Sequence, residues 1–319
     1  MNNTIISNLE ALLKEAQASK ETKDKFRVRA YLNAIKEIKN CGYEIKSGKQ
    51  ALDLNGVGKK IAEKIQEIVD TGELHQVDKS DLEKTKVLSL FSKIWGVGPV
   101  RALELWEEGA RTIQDIEEYY HLILNDNQKI GLKYFNDLQK RVCRKEVEEI
   151  SKIISNEIKT IQKKLKWNIK HKVCGSFRRK AKTCGDMDLL ICEMSGEPIL
   201  NKLVERLTKK GILIEQLGLG STKYLGITKT NDDIAFRIDI EVIKPHEWVY
   251  AMLYFTGSGS FNEHQRLIAK KMGYSLSEHG LKDVKSGEYV TGIESEREIF
   301  EFLDMDYLTP SQRESFRKK

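Results

Sequence analysis

Two aspartates separated by a single residue begin an alternating segment near the middle of the chain. Asp186 and Asp188 alternate with Met187, Leu189 and Ile191. On a β-strand, a period of two places both carboxylates on one face and the apolar side chains on the other. The pattern therefore predicts a strand with one acidic face, which by itself is more typical of a solvated edge strand than of a functional site.

A glycine-serine element with two arginines lies just upstream of this strand. Residues 175–179 read Gly-Ser-Phe-Arg-Arg. The backbone amides of a turn and two guanidinium groups are suitable donors for a polyphosphate. Aligned carboxylates beside phosphate donors are what a divalent-metal phosphoryl-transfer site requires. The combination favours a functional site over a solvated edge, and residues 175–188 become the candidate active site.

A third carboxylate occurs in a second alternating segment. Phe236, Ile238 and Ile240 alternate with Arg237 and Asp239. Asp239 is therefore expected on the polar face of a strand. If this strand is a neighbour of the first, the three carboxylates lie together and can hold two Mg²⁺ ions bridged by substrate phosphates.

Two similar glycine turns occur in the N-terminal part of the chain, which is otherwise patterned as helices. Residues 54–60 read Leu-Asn-Gly-Val-Gly-Lys-Lys, and residues 94–99 read Ile-Trp-Gly-Val-Gly-Pro. A turn that opens a helix presents unpaired backbone amides to a phosphate, and proline suits the first helical position. A single turn of this kind is usually a helix connection, but two copies with matched flanks favour binding to the DNA backbone.

These turns resemble helix-hairpin-helix motifs, which bind the DNA backbone without reading its sequence. The resemblance implies DNA contacts through Gly56, Gly58, Lys60, Gly96 and Gly98. It also implies a monovalent cation, K⁺ or Na⁺, held in each turn by backbone carbonyls. The carbonyls belong to Leu52, Leu54 and Val57 in the first turn and to Ser92, Ile94 and Val97 in the second.

Lys60 and Lys64 are four residues apart and share one face of the helix that follows the first turn. A solvated basic face is the usual role of such lysines, and a phosphate contact is the next. A third role is that of a Schiff-base nucleophile, which needs a lysine whose pKa is lowered by cationic neighbours or by desolvation. Lys59 could add to that repulsion, but the residues alone do not select among the three roles.

An aromatic pair beside a glycine-serine turn marks the last region. Residues 254–262 read Tyr-Phe-Thr-Gly-Ser-Gly-Ser-Phe-Asn, and Arg266 follows. Aromatic side chains beside a flexible turn can form the wall of a sugar or base pocket. Core packing followed by a loop is the more common explanation of such a segment taken alone.

Composition limits the class of protein. The 319 residues are enough for two or more domains, and 54 Lys and Arg against 48 Asp and Glu give a net charge of +6. This modest excess favours an anionic partner such as nucleic acid. We see no apolar run long enough to span a bilayer and no secretory leader. The five cysteines lack zinc-type spacing, so reduced thiols in an intracellular protein are expected.

Taken together and in this order, the glycine-serine, Asp-x-Asp and Tyr-Phe-Thr-Gly-Ser elements resemble the X family of DNA polymerases, and most of all its beta-type members. The resemblance covers essentially the whole chain and implies an α+β multidomain fold. Residues 1–79 would form a helical lyase-like domain with the first hairpin, and residues 80–143 a DNA-binding thumb or fingers domain with the second. Residues 144–245 would form a nucleotidyltransferase palm with a mixed sheet. Residues 246–319 would form a small α+β subdomain that binds the nascent base pair.

The resemblance also implies roles for individual residues. Asp186, Asp188 and Asp239 would hold two Mg²⁺ ions, for which Mn²⁺ can substitute, and Asp239 would help to activate the primer 3′-hydroxyl. Contacts to the incoming deoxynucleoside triphosphate would come from Arg141, Ser176, Arg179, Gly185, Tyr254, Phe255, Gly257 and Asn262. Arg237 and Arg266 would contact DNA. Lys64 matches the Schiff-base lysine of a 5′-deoxyribose-phosphate lyase, with Tyr31 and Glu63 as neighbours.

The function expected from the resemblance is the filling of short gaps during base excision repair. Expected partners are gapped or nicked DNA, deoxynucleoside triphosphates and a DNA ligase, for a monomer without membrane association. The place of action would be the nucleus of a eukaryotic cell, or the host cytoplasm or virion if the protein is viral. A template-independent or non-DNA nucleotidyltransferase and an inactive DNA-binding scaffold remain as alternatives.

Three positions depart from the beta-type pattern. Glu241 stands in place of an arginine that switches between open and closed states, and Gly259 stands in place of an acidic residue near the incoming base. Arg27 stands in place of a lysine in the lyase phosphate pocket. None of these departures removes an expected metal ligand. The control of closure and the contacts to the nascent pair are therefore expected to differ from those of beta-type enzymes.

Overall fold

The computed structural model of the protein describes residues 1–18, 24–74, 79–194, 197–314 and 316. The chain divides into two compact units, Met1–Phe135 and Asn136–Lys319. The first unit is helical, and the second combines a five-stranded sheet with helices.

The first unit consists of helices joined by short turns. They are α1 (Asn2–Ala18), α2 (Asp24–Asn40), α3 (Gly48–Ala51), α4 (Lys59–Thr71), α5 (Lys79–Phe91), α6 (Pro99–Glu107), α7 (Ile113–Asp115) and α8 (Asp126–Lys133). A π-helical turn over Ile116–Tyr120 and a 3₁₀ turn over His121–Ile123 follow α7. Helix α9 (Phe135–Leu138) contains the boundary between the two units.

Two separate hydrophobic clusters hold the helices of the first unit. One is formed by α1, α2 and α4, with Leu9, Ile38 and Ile65 completely or almost completely buried. The other is formed by α5, α6 and the turns that follow, around Phe91 and Leu105. Each cluster contains one of the two glycine turns, which ties each turn to a core of its own.

The second unit contains the following strands and helices in chain order. They are β1 (Val142–Cys143), α10 (Arg144–Leu165), β2 (Ile169–Val173), α11 (Gly175–Arg178), β3 (Thr183–Cys184), β4 (Asp186–Glu193), α12 (Ile199–Lys209), β5 (Glu215–Leu219), β6 (Lys223–Lys229), β7 (Ala235–Val242), α13 (Trp248–Thr256), α14 (Gly259–Lys271), β8 (Tyr274–Ser277), β9 (Gly280–Asp283) and α15 (Glu296–Phe302).

A five-stranded sheet in the order β2-β4-β7-β6-β5 forms the centre of this unit. The pair β4–β7 is parallel, whereas β2–β4, β5–β6 and β6–β7 are antiparallel. One face of the sheet packs against α10 and α12 through apolar side chains such as Met187, Ile238 and Ile154. Because side chains alternate along each strand, the opposite face carries Asp186 and Asp188 at the start of β4. Farther along the same face, Leu190 is buried in a smaller apolar cluster with Ala251 and Met252 of α13.

The charged and apolar spacing over residues 140–166 predicts one long amphipathic helix, and α10 begins later than this pattern suggests. Arg144 is its first residue, because Val142 and Cys143 are extended and pair with β3. It ends at Leu165, before Lys166 adopts a left-handed conformation. The sequence also predicts a helix over residues 200–210, and α12 corresponds to it within one residue at each end.

The C-terminal segment of the second unit packs around its own aromatic cluster. Helices α13, α14 and α15 and the hairpin β8–β9 bury Phe261, Phe300 and Leu281. Arg313 is completely buried in this cluster, where its guanidinium lies over the rings of Phe261 and Phe300. The chain end is thus tied to α14 and α15.

The α+β class predicted from the sequence is confirmed, with a helical part followed by a mixed sheet and a small α+β segment.

No helix among the described residues is long and apolar enough to cross a membrane. All five cysteines are free thiols, and Cys174 and Cys184, which flank the glycine-serine element, are both buried.

Candidate active site and DNA-binding turns

The parallel pairing of β4 with β7 brings the two alternating segments together. In this register Asp188 is opposite Asp239, and Asp186 is opposite Arg237. Because both strands alternate in phase, the three aspartates project from the same face of the sheet. The third carboxylate therefore lies beside the Asp-x-Asp pair.

An arginine lies among these carboxylates. Arg237 Nη2 donates to Asp186 Oδ2 at 3.2 Å and to Asp239 Oδ2 at 3.4 Å. In the described ranges, no group of three or more His, Cys, Asp or Glu side chains is close enough as it stands to hold a metal ion. The aspartates share a face, but Arg237 separates two of them. The expected metal site is therefore not preformed around all three carboxylates.

The carboxylates are nevertheless an unusual concentration of negative charge. Burial, together with the nearby Asp186 and Asp239 carboxylates, raises the pKa of Asp188 to about 7. Burial also raises the pKa of Asp239, although Arg237 and Lys223 oppose the shift. Carboxylate oxygens are the ligands that Mg²⁺ prefers, and a cation would relieve this repulsion. The donor set therefore fits a divalent cation chemically.

Gly175 is required by the position of Asp188. It adopts φ +55°, and a Cβ built on it would overlap Asp188 Oδ2. Only a residue without a side chain allows the carboxylate to approach this closely. The glycine-serine element was expected as a turn, but it forms the short helix α11, which a four-residue segment does not reveal through periodicity.

A cavity of about 880 Å³ opens beside the aspartates. All eight residues expected to contact a nucleotide line it, and they do so together with Asp186 and Asp188. These eight are Arg141, Ser176, Arg179, Gly185, Tyr254, Phe255, Gly257 and Asn262. Gly259, expected near the incoming base, also lines the cavity. Further lining residues that the sequence did not indicate are Lys180, Ala181, Lys182, Thr183 and Glu314.

Arg141 is positioned by the short strand β3. Its Nε donates to the Thr183 hydroxyl at 2.9 Å and its Nη2 to the Thr183 carbonyl at 2.7 Å. A Cβ on Gly185 would come within 3.3 Å of Arg141 Nη1, so this glycine leaves room for the guanidinium. The arginine is therefore held at the cavity wall with donors remaining for a ligand.

Arg179, which also lines the cavity, is held by the end of α13 and by Glu314 near the chain end. Its Nη1 donates to the carbonyl of Thr256 at 2.7 Å, and its Nε donates to Glu314 Oε2 at 2.5 Å. The preceding Arg178 is paired with Glu296, which also accepts from Arg313 at 2.7 Å. The two arginines of the glycine-serine element thus join it to α13, to α15 and to the chain end.

The aromatic pair lies on a helix rather than in a loop. Tyr254 and Phe255 are in the last turn of α13, with ring centroids 5.1 Å apart in an edge-on arrangement. Asn262 Nδ2 donates to the Tyr254 carbonyl at 2.7 Å. The guanidinium of Arg266 lies 4.9 Å from the Tyr254 ring and 3.8 Å from Glu278. Tyr254 therefore positions both polar residues that follow it.

Glu241 forms a cross-strand ion pair. Its Oε1 lies 2.9 Å from Lys223 Nζ, and the two residues are directly opposite in the β6–β7 register. Glu241 therefore has a cationic partner two residues beyond Asp239. The position at which the beta-type pattern has an arginine that switches between open and closed states is therefore occupied here by a glutamate in an ion pair with Lys223.

The two glycine turns have the same backbone conformation. Gly56 and Gly96 have φ values of +87° and +83°. Gly58 and Gly98, which immediately precede α4 and α6, have nearly the same extended dihedral angles. Each turn also contains the same hydrogen bond, from the amide of the valine to the carbonyl three residues earlier. The predicted repeat is therefore a structural repeat as well.

The carbonyls expected to hold a monovalent cation are already partly used. Those of Leu54 and Ile94 accept the amides of Val57 and Val97 at 3.1 and 3.0 Å. A carbonyl oxygen has a second lone pair, so this bond leaves capacity for a cation. The other four expected carbonyls belong to Leu52 and Val57 in the first turn and to Ser92 and Val97 in the second.

The lysines of α4 differ in exposure. Lys60 is exposed, as is Glu63, whereas Lys64 is half-buried. Tyr31 on α2 is buried at 5% exposure in the same unit. Arg27 pairs with Asp24 at 2.8 Å, and this hydrogen bond together with one to Tyr31 raises the pKa of Arg27. Arg27 therefore lies beside Tyr31, one of the two expected neighbours of Lys64.

Family comparisons cover most of the chain. Residues 2–74 match a helix-hairpin-helix domain, and residues 89–139 match the fingers domain of DNA polymerase lambda. Residues 141–245 match the DNA polymerase beta palm, and residues 251–314 match the DNA polymerase beta thumb.

Individual relatives give the same result. The chain is 34% identical over 329 residues to DNA polymerase lambda of Rattus norvegicus, covering 97% of this chain and 56% of that protein. It is 32% identical over 309 residues to DNA polymerase lambda of Arabidopsis thaliana, covering 89% and 57%. It is 28% identical over 333 residues to a DNA nucleotidylexotransferase of Xenopus laevis, covering 91% and 64%.

The chain spans a little over half the length of these relatives. The hairpin, fingers, palm and thumb matches follow one another in this order along the chain. The three aspartates and the cavity lie within the matched palm and thumb. The chain belongs to the X family of DNA polymerases, close to its beta and lambda members.

Proposed function

We propose that this protein adds deoxynucleotides to the 3′ end of a DNA primer in short gaps, under the direction of the template. The observation that carries the proposal is the single cavity in which Asp186 and Asp188 meet the phosphate donors and the aromatic pair of α13. Membership of the X family and the matched palm support this function.

The carboxylates of Asp186, Asp188 and Asp239 would hold two Mg²⁺ ions, with Mn²⁺ as a substitute. Bound there, the ions would lower the pKa of the primer hydroxyl and neutralise charge on the transferring phosphate. As the family resemblance implies, Asp239, which lies on the strand next to the Asp-x-Asp pair, would help to activate that hydroxyl. For Asp186 and Asp239 to bind the cations fully, Arg237 would have to give up its hydrogen bonds to them.

The remaining cavity residues would position the nucleotide. Arg141 and Arg179, together with the Ser176 hydroxyl, would donate to the triphosphate. Tyr254 and Phe255 would pack against the sugar, where the Gly257 backbone leaves little space for a 2′-hydroxyl. Accurate placement of both reactants is a large part of catalysis in phosphoryl transfer.

The glycine turns would hold the DNA. Their identical conformations present backbone amides at the starts of α4 and α6, beside Lys60 in the first case. K⁺ or Na⁺ held by backbone carbonyls in each turn would add positive charge toward the phosphates. The carbonyls are those of Leu52, Leu54 and Val57 in the first turn and of Ser92, Ile94 and Val97 in the second. Arg237 and Arg266 would contact the primer and the template. The protein would bind at a gap as a monomer. A ligase would then seal the resulting nick, which would complete the proposed repair step.

A 5′-deoxyribose-phosphate lyase activity through Lys64 is a second proposed function. It is favoured by the half-buried position of Lys64 on α4, in contrast to the exposed Lys60. Borohydride should trap the protein on DNA carrying a 5′-deoxyribose phosphate. Trapping should disappear in Lys64→Ala and persist in Lys60→Ala, and trapping that persists in both would place the nucleophile elsewhere.

The main proposal is tested by nucleotide incorporation on DNA with a one-nucleotide gap, with and without a 5′-phosphate, for all four deoxynucleoside triphosphates. We expect addition of the nucleotide complementary to the template. Addition that ignores the template would instead support a template-independent transferase. Binding of gapped DNA without any addition would support an inactive scaffold.

A further inference from the structure

We propose that Glu314 is an internal anion that occupies Arg179 and competes with the phosphates of the incoming nucleotide, so that it weakens and thereby sets nucleotide affinity. The inference rests on the proposed function, in which the cavity takes a nucleoside triphosphate. It assigns a role in affinity to a residue at the chain end, distant in sequence from the aspartates.

The contact between the two residues carries the inference. Arg179 Nε donates to Glu314 Oε2 at 2.5 Å, and both residues line the cavity that contains Asp186 and Asp188. The Arg179 side chain is 16% exposed and that of Glu314 is 40% exposed. Carboxylate and phosphate oxygens bind a guanidinium in the same way, as charged acceptors of its N–H groups. A phosphate that reaches Arg179 must therefore share or displace the Glu314 contact.

Two of the three guanidinium nitrogens of Arg179 already have acceptors. Its Nη1 donates to the Thr256 carbonyl at 2.7 Å, and a Cβ on Gly257 would lie 3.3 Å from that atom. This part of the guanidinium faces the end of α13. Its Nε donates to Glu314, so a phosphate that binds through the Nε edge must share or displace that carboxylate.

Neighbouring residues hold Glu314 in this position. Arg313 is completely buried and donates to the Leu308 carbonyl at 2.8 Å and to Glu296 Oε2 at 2.7 Å. On the other side, the Phe316 ring packs edge-on against Phe261 at 5.1 Å. The chain is anchored on both sides of residue 314, so packing rather than the ion pair determines where the carboxylate lies.

A purely structural role for the pair is disfavoured by the same anchors. A partly exposed ion pair adds little to stability, and the buried Arg313 already secures the chain end. The charge of the cavity is affected more strongly. Its lining includes four cations, Arg141, Arg179, Lys180 and Lys182, and Glu314 offsets one of them next to the two aspartates.

The test is the near-isosteric variant Glu314→Gln. The wild type and the variant are each bound to gapped DNA whose primer ends in a dideoxynucleotide. Such a complex binds the complementary nucleotide but cannot add it, so the nucleotide Kd is measured separately from catalysis. We expect the Kd of Glu314→Gln to be about 2- to 10-fold lower than that of the wild type, with a smaller difference at high salt. Glu301→Gln, at an exposed position on α15, serves as the matched control and should leave the Kd unchanged.

Two additional measurements separate competition from structural effects. In an Arg179→Ala background, Glu314→Gln should no longer tighten binding, because the competing pair is absent. Inorganic tripolyphosphate, which lacks base and sugar, should show the same gain in affinity in the single variant. Thermal unfolding of Glu314→Gln should resemble that of the wild type.

An unchanged or higher Kd in Glu314→Gln would overturn the inference, and so would weaker binding with a lower unfolding temperature, which would indicate a structural pair. A different result would contradict the proposed function. A wild type that binds tripolyphosphate but adds no nucleotide to gapped DNA would contradict the polymerase assignment. Tighter tripolyphosphate binding by Glu314→Gln would then still support the internal anion.

Discussion

Asp188 on β4 lies directly opposite Asp239 on the parallel strand β7. This pairing joins residues that are 51 positions apart in the chain, and it places all three aspartates on one face of the sheet. A slip of one residue in the register would turn Asp239 toward the apolar core beneath the sheet. The composition of the site therefore depends on the pairing of these two strands.

The raised pKa of Asp188 predicts a specific pH dependence of stability. The folded protein without metal retains the Asp188 proton up to about pH 7, whereas the unfolded chain releases it near pH 4. The folded state therefore binds more protons in this window, and its free energy of unfolding should fall as the pH rises through it. The contribution is at most about 4 kcal/mol, from a shift of about three pH units.

The measurement is thermal unfolding in the presence of a chelator between pH 5 and pH 7.5, for the wild type and for Asp188→Asn. The variant has no proton to release at this position, so it should lose less stability as the pH rises. If the unfolding temperature changed with pH by the same amount in the two proteins, burial and the other carboxylates would not raise the pKa of Asp188.

The close approach of Asp188 to Gly175 predicts the effect of a single methyl group. Gly175→Ala adds a Cβ that overlaps Asp188 Oδ2 and also strains a backbone with φ +55°. We expect incorporation on gapped DNA to fall by about 100-fold or more, since small displacements of reacting groups are costly in catalysis. The matched control is Gly211→Ala, where φ is +70° but a Cβ would meet nothing within 4 Å.

Both variants should lose about 1 kcal/mol of stability from the left-handed backbone alone. Only Gly175→Ala should lose activity. An active Gly175→Ala protein, or equal losses of activity in the two variants, would mean that the contact with the carboxylate does not matter.

The matched glycine turns predict a salt-dependent effect on DNA binding. Lys60→Gln removes a charge beside the start of α4, so binding should weaken by a similar factor on any DNA sequence. The slope of log affinity against log salt should become shallower by about one. Lys39→Gln, at a lysine that pairs with Glu10 on α1, is the control and should keep the wild-type slope. A change in sequence preference rather than in slope would contradict a backbone contact.

Thiol reactivity tests the packing at the glycine-serine element. Burial raises the pKa of Cys174 to about 12, whereas Cys143 is exposed at the start of α10. Iodoacetamide at pH 8 should therefore modify Cys143 quickly and leave Cys174 unmodified in the folded protein. Peptide mass mapping gives the answer, and rapid labelling of Cys174 would show that this region opens readily.

Strand faces could be predicted from the sequence, but strand neighbours could not. Alternation with a period of two is sufficient to place Asp186, Asp188 and Asp239 on polar faces. The order of strands in a sheet depends on packing across the whole domain. The sequence therefore predicts the three-carboxylate site only if β4 and β7 are neighbours, and it does not predict that they are. The place of Arg237 between two carboxylates follows only from that pairing.

Residues with common side chains escaped prediction for a different reason. Lys180, Lys182 and Glu314 line the cavity, yet lysines and glutamates occur on every solvated surface. Glu314 reaches Arg179 because the neighbouring Arg313 is buried, and a buried arginine has no signature in local spacing. A strong motif can thus locate a site while leaving part of its wall undetected.

The most direct test of the three-aspartate site is the near-isosteric variant Asp239→Asn, measured by single-nucleotide incorporation on gapped DNA with Mg²⁺. Asp232→Asn, at an exposed position before β7, is the control, and binding of gapped DNA is measured for both variants. We predict that Asp239→Asn binds DNA normally but incorporates about 10³-fold more slowly or worse, since a metal ligand is worth several kcal/mol. Incorporation by Asp239→Asn at close to the wild-type rate would contradict the assignment of the site.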